Sequence, residues 1–437
     1  MTKSRARGVG GTSRERQSDG ERTRARRSDE TAASEREGAI GFRHPADGST
    51  IGLPVSNIKA NARGGPVNLA ATFDSHVAAT IDHMIENSPE STMPSRRTFL
   101  AGTAVAGAAA AVGASGALAP EAAAAERFPL AFQAERLRVL VTGDAGTGEK
   151  PQYAVTAAAR RLHAADPFDV AVGLGDNIYE AGPNGPDDAQ FRTKFEKPNA
   201  GLDFPWLMTL GNHDTTAIFP GDGGWLLRGN DEVRYHSRSR RWYMPSRYYS
   251  VELGVADFFV LDLNPLAAYI PPFLSPEWEP GGHYMTRQAR WLDKALAASN
   301  APWKFVCTHH PYANNGPHGP AGDYDGLPAP LSGDAAKSFF ERHVAGRAQF
   351  LLSGHDHSQQ VLENVAGLRG TRQIVSGAAA KTVNKPSTKR FRARYENLRD
   401  RGFMALDITP STVGLTAYEV SPDRPHARKA FETTYRR

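Results

Sequence analysis

Along this chain the apolar positions form short runs from residue 136 onward, rich in Val, Leu and Phe, and each run stops at a polar cluster. Arg136–Thr142 stops at Gly143-Asp144, Phe168–Leu174 at Gly175-Asp176-Asn177, and Phe204–Leu210 at Gly211-Asn212-His213-Asp214. Ala256–Leu261 stops at Asp262, Trp303–Thr308 at His309-His310-Pro311, and Ala348–Leu352 at Ser353-Gly354-His355-Asp356-His357. Runs of this length and composition predict buried strands. Between them, Gln152–Ala165 and Thr286–Ala298 predict helices, the second with Trp291, Leu292 and Leu296 on one face. Strand–helix alternation predicts an α/β fold. The polar clusters then sit at the carboxyl ends of strands, where loops of such sheets converge on a site. A glycine ahead of most clusters lets the backbone turn sharply and approach a ligand closely. The segment 215–245, rich in Gly, Arg and Trp, is expected to cover the mouth of that site.

The first 125 residues carry a different pattern. Residues 1–94 show no apolar period, and their aromatic residues are Phe42 and Phe73. Such a stretch cannot bury enough apolar area to offset its ordering entropy, so disorder is expected. Ser95-Arg96-Arg97-Thr98-Phe99-Leu100 follows, then Ala, Gly and Val up to Ala119, then Glu121 and Ala122–Ala125. Residues 95–125 resemble a twin-arginine export signal, with cleavage expected after Ala125. The segment is about long enough to span a bilayer, but Ala and Gly partition weakly into lipid, so a removable signal is preferred to an anchor. An export signal belongs at an N-terminus, which suggests translation from Met84 or Met93. The catalytic domain is then 126–437.

Composition narrows the chemistry. Hydrophobic residues make up 40% and aromatics 9%, which excludes wholesale disorder, collagen and a polytopic membrane protein. The single Cys excludes an intrachain disulfide and any multi-cysteine metal site. Residues 126–437 hold 37 basic and 34 acidic side chains, so nothing suggests a nucleic-acid coat. Metal ligands, if present, must be His, Asp, Glu, Asn or Tyr. The candidates are Asp144, Asp176, Tyr179, Asn212, His213, His309, His318, His355 and His357. Singly, an Asp after a strand is a turn residue and a lone His is a packing residue. Clusters at successive strand ends are harder to explain that way. A shared carboxylate can hold two cations about 3.5–4 Å apart, the separation used for in-line displacement at phosphorus. No P-loop, G-x-S-x-G or Ser-x-x-Lys pattern occurs in usable context.

Gly143-Asp144, Gly175-Asp176, Gly211-Asn212-His213-Asp214, His309 and Gly354-His355-Asp356-His357 resemble, in order, the motif blocks of the calcineurin-like metallophosphoesterases. The resemblance spans roughly residues 136–437. It implies a four-layer α/β/β/α sandwich of two mixed sheets flanked by helices. The first block lacks the usual Asp-x-His, and Asp176-Asn177-Ile178-Tyr179 is similar to the corresponding run of purple acid phosphatases of the small, tartrate-resistant type. Pro205-Trp206, Arg241–Ser246 and Pro317-His318-Gly319-Pro320 are similar too.

That resemblance implies an Fe(III) site of Asp144, Asp176, Tyr179 and His357. It implies a second site for divalent Fe, Zn or Mn made by Asp176, Asn212, His309 and His355, with Asp176 bridging. His213 and His318 would hold phosphate and serve catalysis. The implied activity is phosphomonoester hydrolysis by attack of a metal-bound hydroxide on phosphorus. The alternative is a phosphodiesterase or nucleotidase on the same metals. A noncatalytic relative with a decayed site is disfavoured by the complete ligand set.

The implied substrates are small phosphoesters or phosphoproteins. The further partner is the twin-arginine export machinery, giving a secreted or cell-envelope location; no nucleic acid, no stable membrane anchor and a monomer are expected. Asp214 is read as orienting a loop or a ligand His, His310 as a turn residue outside the ligand set, and Cys307 as inert packing. The eight basic residues between Lys381 and Arg401 are read as a solvated loop, with a rim that attracts anionic esters as the competing reading.

Overall fold

A computed structural model describes residues 135–437 except 219, 271–273 and 422–423, with the side chains of 424 and 425 also left out, together with the backbone of two short strands nearer the N-terminus. The chain divides into two units, Met1–Ser95 and Arg96–Arg437. In the first, β1 (Ala39–Arg43) pairs antiparallel with β2 (Thr50–Pro54), a pairing that the apolar pattern did not predict. The rest of the expected disordered segment 1–94 and the export signal 95–125 lie outside the described residues.

The second unit holds two seven-stranded mixed sheets. In one, β3 (Leu137–Thr142), β4 (Val170–Gly173), β5 (Trp206–Met208) and β6 (Trp242–Tyr243) run parallel. On the other side of β3 the sheet continues antiparallel through β14 (Arg401–Ile408), β15 (Thr412–Ser421) and β16 (Arg424–Arg436).

In the other sheet β8 (Ala256–Val260), β9 (Trp303–Thr308), β10 (Phe350–Ser353) and β12 (Arg372–Ser376) are parallel neighbours. Antiparallel β7 (Tyr249–Glu252) closes one edge, and antiparallel β11 (Gln359–Leu362) and β13 (Ala393–Asn397) close the other.

Strand alternation decides what packs where. Phe258, Phe305, Cys307, Phe350 and Leu352 point to the core shared by the two sheets, while Phe259, Val306 and Leu351 point to a second apolar layer. Phe305 stacks on Phe258 and on Phe350, each at a 4.9 Å centroid separation, so three neighbouring strands are tied by one aromatic column. The outer layer is filled by helices, including α3 (His283–Ala298) with Leu292 and Leu296, and α4 (Asp334–Phe339) with Phe339. Helix α1 (Lys150–Ala165) packs against β14–β16. The short α2 (Gly229–Tyr235) lies in the segment expected to cover the site. The result is two sheets flanked by helices, the layering expected. No described helix is long and apolar enough to cross a membrane.

Candidate metal centre

The carboxyl ends of β3, β4, β5, β9 and β10 converge, and the loops that leave them are bonded to one another. Asp144 N–H donates to Gly175 O at 3.0 Å, Gly146 N–H to Asp176 O at 3.1 Å, and Gly354 N–H to His309 O at 3.0 Å. Asp144, Asp176 and His355 have φ of 57°, 52° and 69°, left-handed values that non-glycine residues seldom adopt and that concentrate at functional sites. The approach is close enough to require glycine at Gly211. A Cβ there would lie 2.2 Å from Asp176 N and 2.3 Å from Asp176 Oδ1.

Seven of the nine candidates fall into two touching groups. In one, Tyr179 Oη donates to Asp144 Oδ1 at 3.2 Å and lies 3.0 Å from His357 Nε2. In the other, Asn212 Oδ1 lies 2.8 Å from His309 Nε2 and 3.1 Å from His355 Nδ1. Asp176 touches both: its Oδ1 is 3.3 Å from His309 Nε2, and its carboxylate lies close enough to the Tyr179 hydroxyl to help raise that phenol's pKa. Asp144, Asp176, Tyr179, His309 and His355 are all buried.

The donor set fits cations. Asn212 Nδ2 donates to Gly221 O, which turns Oδ1 inward. His309 Nδ1 lies 2.8 Å from Leu174 O, an acceptor, so that nitrogen carries the ring proton. Burial holds the His309 pKa below its ordinary value, against the pull of Asp176, so the ring is neutral and Nε2 presents a lone pair. Nε2 and Asn212 Oδ1 are therefore two acceptors 2.8 Å apart with no proton between them. A carbonyl that fixes the far nitrogen is the usual way to orient a metal-binding imidazole. Burial, then the charge of Asp176, pushes Asp144 well above the carboxylate range, and burial with Asp176 and Asp144 pushes Tyr179 well above 10. These groups cannot all ionise in a buried cluster without cations to pair them. Tyr179, Asp144, Asp176 and His357 offer hard oxygens and one imidazole, and Asn212, His309 and His355 an amide oxygen and two imidazoles, a division suited to two different cations.

The other two candidates lie on the more open side. The side chains of His213 and His318 are 15% and 30% exposed. His213 Nδ1 lies 2.8 Å from Glu180 O, and its N–H donates to Asp176 Oδ1 at 3.0 Å. His318 Nδ1 lies 2.7 Å from Asp325 Oδ1. Burial would lower the His318 pKa, but the bond to Asp325 and its charge raise it to about 9. The His318 backbone N–H donates to Asp356 Oδ2 at 3.2 Å, which docks this loop against the turn carrying His355 and His357.

The neighbours match their expected parts. Asp214 is buried and accepts from the N–H groups of Gly211, Asn177 and Ile178, so it clamps two ligand loops together. His310 is buried against His355, at a 4.5 Å ring separation. Burial raises the Cys307 thiol well above its ordinary value, in keeping with inert packing. Sequence reasoning missed Asp325, seven positions past His318 with no motif to announce it. It also missed Glu232 of α2, whose Oε2 accepts from Asn177 Nδ2 at 3.0 Å. In the basic run, Lys389, Arg390 and Arg394 are ion-paired to Glu396, Asp323 and Glu363. Lys381 is paired to Glu180 and also sits over the Tyr179 ring.

Residues 137–359 match the sequence profile of the calcineurin-like phosphoesterases, just over half of the chain. The chain belongs to the calcineurin-like phosphoesterase family. It is 26% identical over 277 residues to purple acid phosphatase 7 of Arabidopsis thaliana, covering 59% of this chain and 75% of that one. It is 27% identical over 274 residues to tartrate-resistant acid phosphatase type 5 of Sus scrofa, covering 58% and 73%. Among solved structures, GAP50, the anchor in the inner membrane complex of Plasmodium, shares the fold at a TM-score of 0.50 and 15% identity, over 69% of this chain and 89% of that one. Asp144, Asp176, Asn212, His309, His355 and His357 all lie within the matched residues. The convergence of strand ends places Tyr179 beside Asp144.

Proposed function

We propose that this calcineurin-like phosphoesterase hydrolyses phosphomonoesters at a centre of two metal ions, Fe(III) and a divalent Fe, Zn or Mn, as purple acid phosphatases do. The observation that carries the reading is the meeting of Asn212 Oδ1 and His309 Nε2 at 2.8 Å beside the Tyr179–Asp144–His357 group, linked through Asp176. Relatives named as purple and tartrate-resistant acid phosphatases support the same substrate class.

Bound in these two groups, the ions would neutralise phosphoryl oxygens and acidify a water for in-line attack at phosphorus. The chain's own residues then divide the remaining work. Tyr179 and the two aspartates supply the negative charge that holds a trivalent ion. His213, fixed by the Glu180 carbonyl, faces the open side, where it can donate to a phosphoryl oxygen. His318, held by Asp325, carries the proton that the departing alkoxide oxygen needs. Ser95-Arg96-Arg97-Thr98-Phe99-Leu100 supports export by the twin-arginine route to the cell envelope or medium.

The test is steady-state hydrolysis of phenyl phosphate and of bis-phenyl phosphate by the purified chain, before and after chelation. The reading requires phosphate release from the monoester that is lost on chelation and restored by metal. Preference for the diester would instead make the chain a phosphodiesterase.

A further inference from the structure

Tyr179 is held from several directions. Its N–H donates to Gly146 O at 2.9 Å, and Lys194 Nζ bonds its carbonyl oxygen. The His213 ring centroid lies 4.4 Å from its own. Over the ring, 3.6 Å from the centroid, stands the ammonium of Lys381. That nitrogen also contacts Glu180 Oε1 at 2.9 Å, so it lies between a carboxylate and an aromatic face. The lysine's backbone is not free to drift. Ala379 N–H donates to Gly143 O, in the loop that carries Asp144, and Arg401 Nε donates to Ala380 O at 2.8 Å. Lys381 is thus built onto Tyr179 rather than left to sample solvent, and its side chain is only 29% exposed.

We propose that Lys381 tunes Tyr179 as a metal ligand, its ammonium drawing electron density from the ring and making the phenol oxygen a weaker donor. The inference rests on Tyr179 being a ferric ligand. A cation over an aromatic face is attracted to its π electrons, and the attraction grows when the ring bears the charge of a phenolate. It lowers the energy of the donor electrons. The same charge opposes the donation that favours the ferric over the ferrous state. Glu180 works against this, since its carboxylate partly neutralises the ammonium. Lys381 is a positioning and tuning residue here and touches no reacting atom.

The experiment uses the full chain isolated with iron, as wild type and as Lys381→Met, Lys381→Arg and Glu180→Gln, with iron content measured for each. The readouts are the visible phenolate-to-iron absorption maximum and the reduction potential of the ferric ion. Lys381→Met is expected to move the band to longer wavelength and lower the potential. Lys381→Arg should restore both towards wild type. Glu180→Gln should move both the other way. An unmoved band in iron-loaded Lys381→Met overturns the proposal; if kcat/KM has fallen meanwhile, the lysine acts on substrate instead. A colourless, active wild type would overturn the ferric role of Tyr179 and this inference with it, leaving the phosphatase reading standing. An inactive wild type with the expected colour and the expected shifts would do the reverse.

Discussion

Asp325 Oδ1 lies 2.7 Å from Nδ1 of His318, and the pair stands at the open side of a cluster in which His309 and His355 are buried with lowered pKa values. Burial, then the charge of His318, lowers His355 to about 3. Burial, His318 and Lys381 hold His357 well below its ordinary value. The contrast separates roles: the low-lying imidazoles offer lone pairs, and the one paired with a carboxylate offers a proton.

His318→Ala is therefore expected to lower kcat by about 10²–10⁴, the usual contribution of a general acid, while both metals stay bound. Asp325→Asn should give a smaller loss and change its pH dependence. The acid works only when protonated, so activity falls as pH rises through the His318 pKa. Asp325 raises that pKa to about 9, and bound cations draw it down again, so the alkaline limb should lie below pH 9 and move lower still in Asp325→Asn. Rate profiles of both forms, with metal analysis, check this; loss of metal from His318→Ala would move His318 into the ligand set.

Chelation should uncover a pH dependence of the fold to which the buried carboxyls and the buried histidines contribute with opposite signs. Burial and Asp176 raise Asp144, and burial and Asp176 raise Asp214 to about 7. A raised folded-state value means that the unfolded chain loses its proton first, near its ordinary value of about 4. The contribution of these two carboxyls to the stability of the metal-free chain then falls as pH rises from about 4 towards the raised values. Asp176 has the opposite sign, lowered by His309 and His213 against its burial, but its contribution is complete above its ordinary value. His309, His355 and His357, lowered by burial, also have the opposite sign and favour the fold as pH rises through about 6.5. The carboxyl effect is therefore read in Asp214→Asn, whose Tm relative to wild type should be higher at pH 7.5 than at pH 5 in thermal melts of chelated protein. Metal at a hundredfold excess over its Kd should add about 2.7 kcal/mol at either pH where it binds.

Close approach of the ligand loops predicts a sharp difference between glycines. Gly211→Ala places a methyl 2.2 Å from the Asp176 backbone, and Gly354→Ala places one 2.5 Å from Asp144 Oδ2. Both should lose metal and activity together. Gly281→Ala meets nothing within 4 Å and should stay within about 0.5 kcal/mol of wild type. Metal content and denaturant melts of the three variants make the comparison.

The aromatic column should matter to stability and not to the chemistry directly. Phe305 is fully buried and stacked on both sides. Phe305→Ala is expected to cost about 3–5 kcal/mol. Denaturant unfolding measures it, and a cost below about 1 kcal/mol would contradict the packing described.

The strands that carry the site were legible because each ends at its own polar cluster. The run Trp303–Thr308 coincides with β9, and the runs leading to Asp144 and Asp176 differ from β3 and β4 only at their ends. The antiparallel side of the sheet, β14 to β16, was not singled out. β15 alternates buried and half-buried residues, and β14 pairs with β3, more than 250 positions earlier. The ligand-type residues were likewise legible through their glycine-bounded motifs. Asp325, Glu232 and Lys381 were not, because each acts through a contact that no local spacing encodes. Lys381 is the plainest case: within a basic run it looked like one solvated charge among eight, and only the fold brings it over Tyr179.

The central claim is that Tyr179, Asp144, Asp176 and His357 hold a ferric ion beside a second, divalent one. The visible absorption spectrum of the purified protein, isolated with its metals and compared with Tyr179→Phe, tests it most directly. The account predicts a violet to purple band in the wild type that is lost in Tyr179→Phe. A colourless wild type carrying two equivalents of metal would contradict the Fe(III)–Tyr179 assignment.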